Sequence, residues 1–90
     1  MAPREAVKIA DDYVRELFRS ERAKNFGLEE LRFDDGKWLV TIGFSREWEG
    51  PQGISRYAYD RPVMPRTFKT VEIDDASEKV ISLKHWPIAA

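Results

Sequence analysis

Apolar and polar residues alternate along the chain from Leu31 to Phe44, on either side of one polar break. Trp38, Val40, Ile42 and Phe44 fall on every second position, so in a strand they share one face. Leu31 and Phe33 keep that alternation ahead of the break. Asp35-Gly36 separates the two runs, and Gly36 can adopt the positive φ of a tight hairpin without a Cβ clash. The pattern predicts a β-hairpin with one apolar face, over strands at about 28–34 and 37–46. Earlier in the chain the period changes. From Pro3, which suits a first helical position, to about Ser20, the residues Ala6, Val7, Ile9, Ala10, Tyr13, Val14, Leu17 and Phe18 occupy about half of a helical circumference. Arg4, Lys8, Asp11, Asp12, Arg15 and Arg19 take the other half, with Asp11 and Arg15 spaced for an i,i+4 pair. An amphipathic helix over 3–20 is expected, with Asn25 to Gly27 as its stop and Gly27 as its C-terminal glycine.

Beyond Phe44 the periodicity breaks. The stretch from about 47 to 65 contains Gly50-Pro51, Gly53, Arg61-Pro62 and Pro65, and is expected to be a long loop. Strand character returns at 66–74, where Val71 and Ile73 alternate with Thr70 and Glu72. A polar link, Asp74-Asp75-Ala76-Ser77-Glu78, leads to a strand at 79–86, with Ile81 and Leu83 expected inward and Ser82 and Lys84 outward. Pro87 ends it. Short links favour an antiparallel meander, since parallel neighbours need crossovers. The expected architecture is a single α+β domain over 1–90, with one N-terminal amphipathic helix packed on a four-stranded antiparallel β-meander as a two-layer sandwich.

The stretch Lys69-Thr-Val-Glu-Ile-Asp-Asp-Ala-Ser-Glu-Lys-Val-Ile-Ser-Leu-Lys resembles the closing hairpin of PepSY-like domains. The order of helix and antiparallel sheet is similar to the wider cystatin-like architecture. Glu78 stands where PepSY-like relatives commonly carry glycine. The resemblance implies a binding or inhibitory module that regulates another protein. Cystatins themselves act through a Gln-x-Val-x-Gly loop and a Pro-Trp loop. Pro51-Gln-Gly-Ile and His85-Trp86-Pro87 match neither, so protease inhibition is carried over to no residue here.

Composition narrows the function classes. Ninety residues with 42% hydrophobic and 12% aromatic side chains suffice for one small core. The net charge of −1 lacks the basic excess with which nucleic-acid binders displace phosphate counterions, so no nucleic-acid partner is expected. The absence of cysteine removes disulfides and thiolate chemistry and is compatible with a cytoplasmic location. No apolar run reaches the length of a membrane span or a signal peptide, so no membrane partner is expected. His85, the one histidine, has no base or nucleophile partner marked by spacing and reads as a solvent-facing strand residue. Glu29-Glu30, Asp34-Asp35 and Asp74-Asp75 could offer oxygens to a hard cation, but the latter two lie at expected turns, where aspartate caps backbone N–H groups. No phosphate-binding glycine loop or nucleophile elbow is present. Neither an enzyme nor a cofactor is expected.

The irregular middle carries the candidate site. Arg46, Trp48, Arg56, Tyr57, Tyr59 and Arg61 are of the residue types enriched at interface hot spots, and from Ser45 to Arg66 four arginines face only Glu47, Glu49 and Asp60. The expected function is a non-catalytic protein-interaction module (an inhibitor, antitoxin-like protein or regulatory subunit) whose loop 46–66 contacts an unidentified protein. The alternative is a small-ligand or peptide-binding domain with a pocket between helix and sheet. A homodimer formed by pairing sheet edges is a further expectation.

Overall fold

A computed structural model describes residues 1–46 and 66–86. One helix, α1 (Pro3–Leu17), is followed by a 3-10 turn at Arg19–Glu21 and four strands: β1 (Ala23–Asp34), β2 (Lys37–Arg46), β3 (Thr67–Asp74) and β4 (Val80–Trp86). The strands form one antiparallel sheet in the order β1-β2-β3-β4, with α1 laid on one face. This is the α+β meander that the periodicity predicts.

The β1–β2 hairpin closes as expected. Asp34 pairs with Lys37, and both turn residues have positive φ, 52° at Asp35 and 75° at Gly36. That combination is the tight turn whose twist matches the strands it joins. Val40, Ile42 and Phe44 meet Val71 and Ile73 on the helix-facing side, where Ala6, Ala10 and Val14 complete the buried core. The two alanines are spaced one turn apart and let the helix backbone approach the central strands. At the helix start the Ala2 N–H donates to Glu5 Oε1 at 2.8 Å, which supplies an acceptor for one of the N–H groups that a helix N-terminus leaves unpaired.

Three expectations are corrected. The helix ends at Leu17 rather than Ser20, and the left-handed stop is Arg22 (φ 56°), not Gly27. Residues 25–27, expected to be the stop and turn, already belong to β1, which begins at Ala23. The reason is Phe26, which is held in the sheet by its stack on Phe44. β1 has 12 residues and β2 has 10, and single-residue register shifts at Lys24/Gly27 and Leu28/Glu30 absorb the difference. Such bulges break the two-residue period and hide the strand from a periodicity argument; one contains Asn25 at φ 60°, a conformation asparagine tolerates well. The third correction is Ile81. A register shift pairs Val80 with Ile73 and leaves Ile81 as the extra residue, 48% exposed rather than inward.

The sheet face away from the helix is polar and close-fitting. Thr41 and Thr70, cross-strand partners, share a hydrogen bond of 2.8 Å between their buried hydroxyls. Beside them Gly43 lies opposite Phe68, and a Cβ at residue 43 would meet the ring at 2.8 Å. Gly43→Ala is therefore expected to destabilise the fold by about 1–3 kcal/mol through overpacking. Urea denaturation measures this, and Phe68→Leu in the same chain should recover part of the loss. Glu78 sits in the β3–β4 turn at φ 62°, and its N–H donates to the Asp74 carbonyl at 2.8 Å. A left-handed non-glycine residue is strained, so Glu78→Gly should raise stability by up to about 1 kcal/mol after the added freedom of the unfolded chain is counted. No gain in the urea midpoint would show that the turn carries no such strain.

Candidate interaction surface

Of the six loop residues expected to contact a partner, only Arg46 falls among the described residues. Trp48, Arg56, Tyr57, Tyr59 and Arg61 lie outside them. Arg46 is directed into the fold. Its guanidinium lies 5.0 Å from the Phe18 ring centroid and 5.4 Å from that of Phe44, and its Nε is 3.3 Å from Glu21 Oε1. Only 14% of its side chain is exposed. The alternation of β2 already held this signal, because residue 46 continues the even-numbered series from Trp38 to Phe44 that faces the helix.

Arg46 belongs to a cluster that ties the C-terminal end of α1 to the sheet. Phe44 lies between Phe18, at 4.9 Å, and Phe26, at 5.3 Å between centroids. Arg15 covers the outer side of Phe26 at 4.4 Å and is itself held by Asp11 at 2.7 Å. Lys69 of β3 approaches Phe18 from the other side at 5.9 Å. In each of these contacts the cationic group itself lies over a ring, whose face attracts it.

The opposite end of the helix is tied by a carboxylate. Asp75 Oδ1 accepts hydrogen bonds from Trp38 Nε1 at 2.8 Å and from the Met1 amino group at 2.9 Å. The indole donor, then the amino group, hold the Asp75 carboxyl below its ordinary range. Next to it, Asp74 Oδ2 accepts the Ser77 N–H at 2.8 Å, which lowers its pKa in turn. Asp74 and Asp75 thus act in the turn as hydrogen-bond acceptors. On the polar sheet face Glu72 accepts from Ser82 Oγ at 2.8 Å, with Lys37 at 3.7 Å, and its pKa is lowered first by that hydroxyl and then by Lys37.

What remains open on the helix side is apolar. Arg15 on Phe26 sets one flank of α1 against β1. The other flank, Ile9-Tyr13-Leu17 at i, i+4 spacing, therefore faces the β3–β4 side. β4 lies beyond the main cover of the helix, which rests on β1, β2 and β3. Tyr13 and Leu17 on that flank are 36% and 47% exposed, and Ile81 of β4 is 48% exposed at the other end of the sheet, near the helix start. Along β1, Phe33 and Leu28 are left half-exposed in the same way. These residues escaped the sequence reading because amphipathic patterning identifies the apolar face of an element, not how much of it a neighbour covers.

His85 is exposed on β4, paired in register with Lys69. Among the described residues no group of three or more histidine, aspartate or glutamate side chains is placed to hold a metal ion. Among the described residues, core side chains pack between helix and sheet, and a concavity lined by Ala2, Pro3, Arg4 and Glu5 lies at the helix start. No helix of the described residues is long and apolar enough to cross a membrane. Comparison of the chain with family models, with curated proteins and with solved structures gave no match.

The three lowered carboxyl pKa values fix the sign of the acid response. Their contribution to stability is complete above the ordinary carboxylate range and is lost as pH falls through the lower native-state values. The unfolding midpoint in urea should hold steady on acidification to about pH 5 and fall steeply below about pH 4. In Asp75→Asn, followed by circular dichroism, part of that acid dependence should disappear. An unchanged acid slope in this variant would remove Asp75 from the account.

Proposed function

We propose that this protein is a non-catalytic protein-interaction module that acts in the cytoplasm as an inhibitor, antitoxin-like protein or regulatory subunit. The observation that carries the reading is the disposition of apolar surface. The interior between helix and sheet is packed with side chains, whereas Tyr13, Leu17, Leu28 and Phe33 stand half-exposed around it. Apolar side chains left open along the margins of a core are surface that a protein partner can bury. The filled interior argues against the alternative of a ligand pocket beneath the helix. The order of elements, similar to PepSY-like and cystatin-like domains, supports the same reading.

The partner is assigned to the segment 46–66, through Trp48, Arg56, Tyr57, Tyr59 and Arg61, with Arg46 as the anchored base from which that segment departs. A tagged chain and its Trp48→Ala/Tyr57→Ala variant, used to capture proteins from a lysate of the source cells, test this. The double variant should lose most of the specifically retained protein while its circular dichroism spectrum stays that of the parent. Equal recovery by both chains would refute the assignment of the contact to this segment.

A further inference from the structure

The two outer strands of the sheet differ in how they present their unpaired edges. β1 carries two bulges, a left-handed Asn25, and the exposed charges Lys24, Glu29, Glu30 and Arg32. Bulges and charges of this kind interrupt the regular row of donors and acceptors that another strand would need. β4 has its one irregularity at Ile81, near its start, and from Ser82 to Trp86 it pairs with β3 without a shift. No strand among the described residues pairs with its outer side. One edge is therefore guarded and the other is regular.

We propose that β4 pairs antiparallel with β4 of a second copy of this chain, about a two-fold axis at Leu83, to give a continuous eight-stranded sheet. The register follows from charge. With the axis at Leu83, the two leucines meet on the helix side, Ile81 lies opposite the second copy's His85, and Ser82 lies opposite its Lys84. Ser82 is the register partner of Glu72 and donates its hydroxyl to the Glu72 carboxylate. The second copy's Lys84 is then two strand spacings from Glu72, about 10 Å between backbones, on the same polar face. That separation is within the combined reach of a lysine and a glutamate side chain. The symmetry makes the contact twice. An axis at Lys84 would instead set two ammonium groups opposite each other, which cross-strand pairs disfavour. Pairing at Leu83 also covers Ile81, which the helix leaves exposed. A two-fold axis uses one edge of each copy and leaves the guarded β1 edges outside, so the assembly closes at two chains.

The inference involves no residue of 46–66, so it stands or fails separately from the proposed partner contact. Sedimentation velocity of the full chain across a micromolar concentration series should show a monomer–dimer equilibrium. Lys84→Glu and Glu72→Lys should each weaken self-association about tenfold, because each turns two attractive contacts into repulsive ones. An equimolar mixture of the two variants should restore parental association, since both cross-copy pairs are then opposite in sign. A role for Glu72 and Lys84 confined to one chain gives no recovery on mixing, and that result overturns the proposal. A parental chain that stays monomeric, or one that grows into open-ended assemblies, overturns it as well. Hydrogen exchange on the unmodified chain gives a second measurement that needs no variant. Amides from Ser82 to His85 should become more protected as concentration rises while those of β1 do not, and equal behaviour of the two edges counts against it.

Discussion

A single helix has to shield a sheet that is wider than itself. An α-helix with its side chains measures about 10–12 Å across. Four strands at about 4.8 Å spacing place the outer two about 14 Å apart before their side chains are added. Burial follows from this mismatch. Val40, Ile42, Phe44, Val71 and Ile73 on the two central strands are sealed, with Ala6, Ala10 and Val14 pressed against them. Leu31 and Leu83 on the outer strands reach the same core only partly, and Phe33 and Ile81 stay open to water. The exposed apolar residues of this domain are the uncovered margin of its own core rather than a separate feature.

With so little width to spare, the helix is held at both ends by contacts richer than aliphatic packing. At its start, Asp75 gathers Trp38 from β2 and the chain's first residue onto one carboxylate oxygen, joining helix, hairpin and turn. At its far end, Phe44 is enclosed by Phe18 and Phe26, with Arg46 and Arg15 laid over the outer rings. Rings and guanidinium groups fill the space where the last turn of the helix gives way to β1. Arg15 keeps its charge where water reaches it, whereas the largely buried Arg46 lies against the rings with its Nε 3.3 Å from Glu21.

Much of the fold was legible along the chain because its central elements obey simple periods. β2 alternates without interruption, α1 shows a full amphipathic stripe, and Asp35-Gly36 has the chemistry its turn demands. What stayed hidden was whatever departs from a period. Residues 25–27 looked like a turn because two bulges shift the phase of β1, and Ile81 was turned the wrong way by the same kind of insertion in β4. Left-handed Arg22 carries no compositional sign, unlike a glycine at a helix end. The candidate site was legible only in composition. Arg46 shared the enrichment in arginine of the stretch 46–66, but its phase in β2 sends it to the helix instead. Trp48, Arg56, Tyr57, Tyr59 and Arg61 lie in a stretch without periodicity, where sequence names residue types but no geometry.

The connection between β2 and β3 divides the meander into two hairpins of very different closure. Each hairpin is zipped by a short turn, whereas the central pairing of β2 with β3 must bring Phe44 opposite Thr67 across the whole intervening stretch. The entropic cost of joining two strands grows only logarithmically with the length of the connection, about 0.6 kcal/mol for each doubling. The domain can therefore accept insertions and deletions between these two strands at little thermodynamic expense, while a single residue added to Asp35-Gly36 would disturb the register of every pair in the hairpin. Variation in length is thus channelled to one end of the sheet, and the scaffold can change what it presents there without being rebuilt.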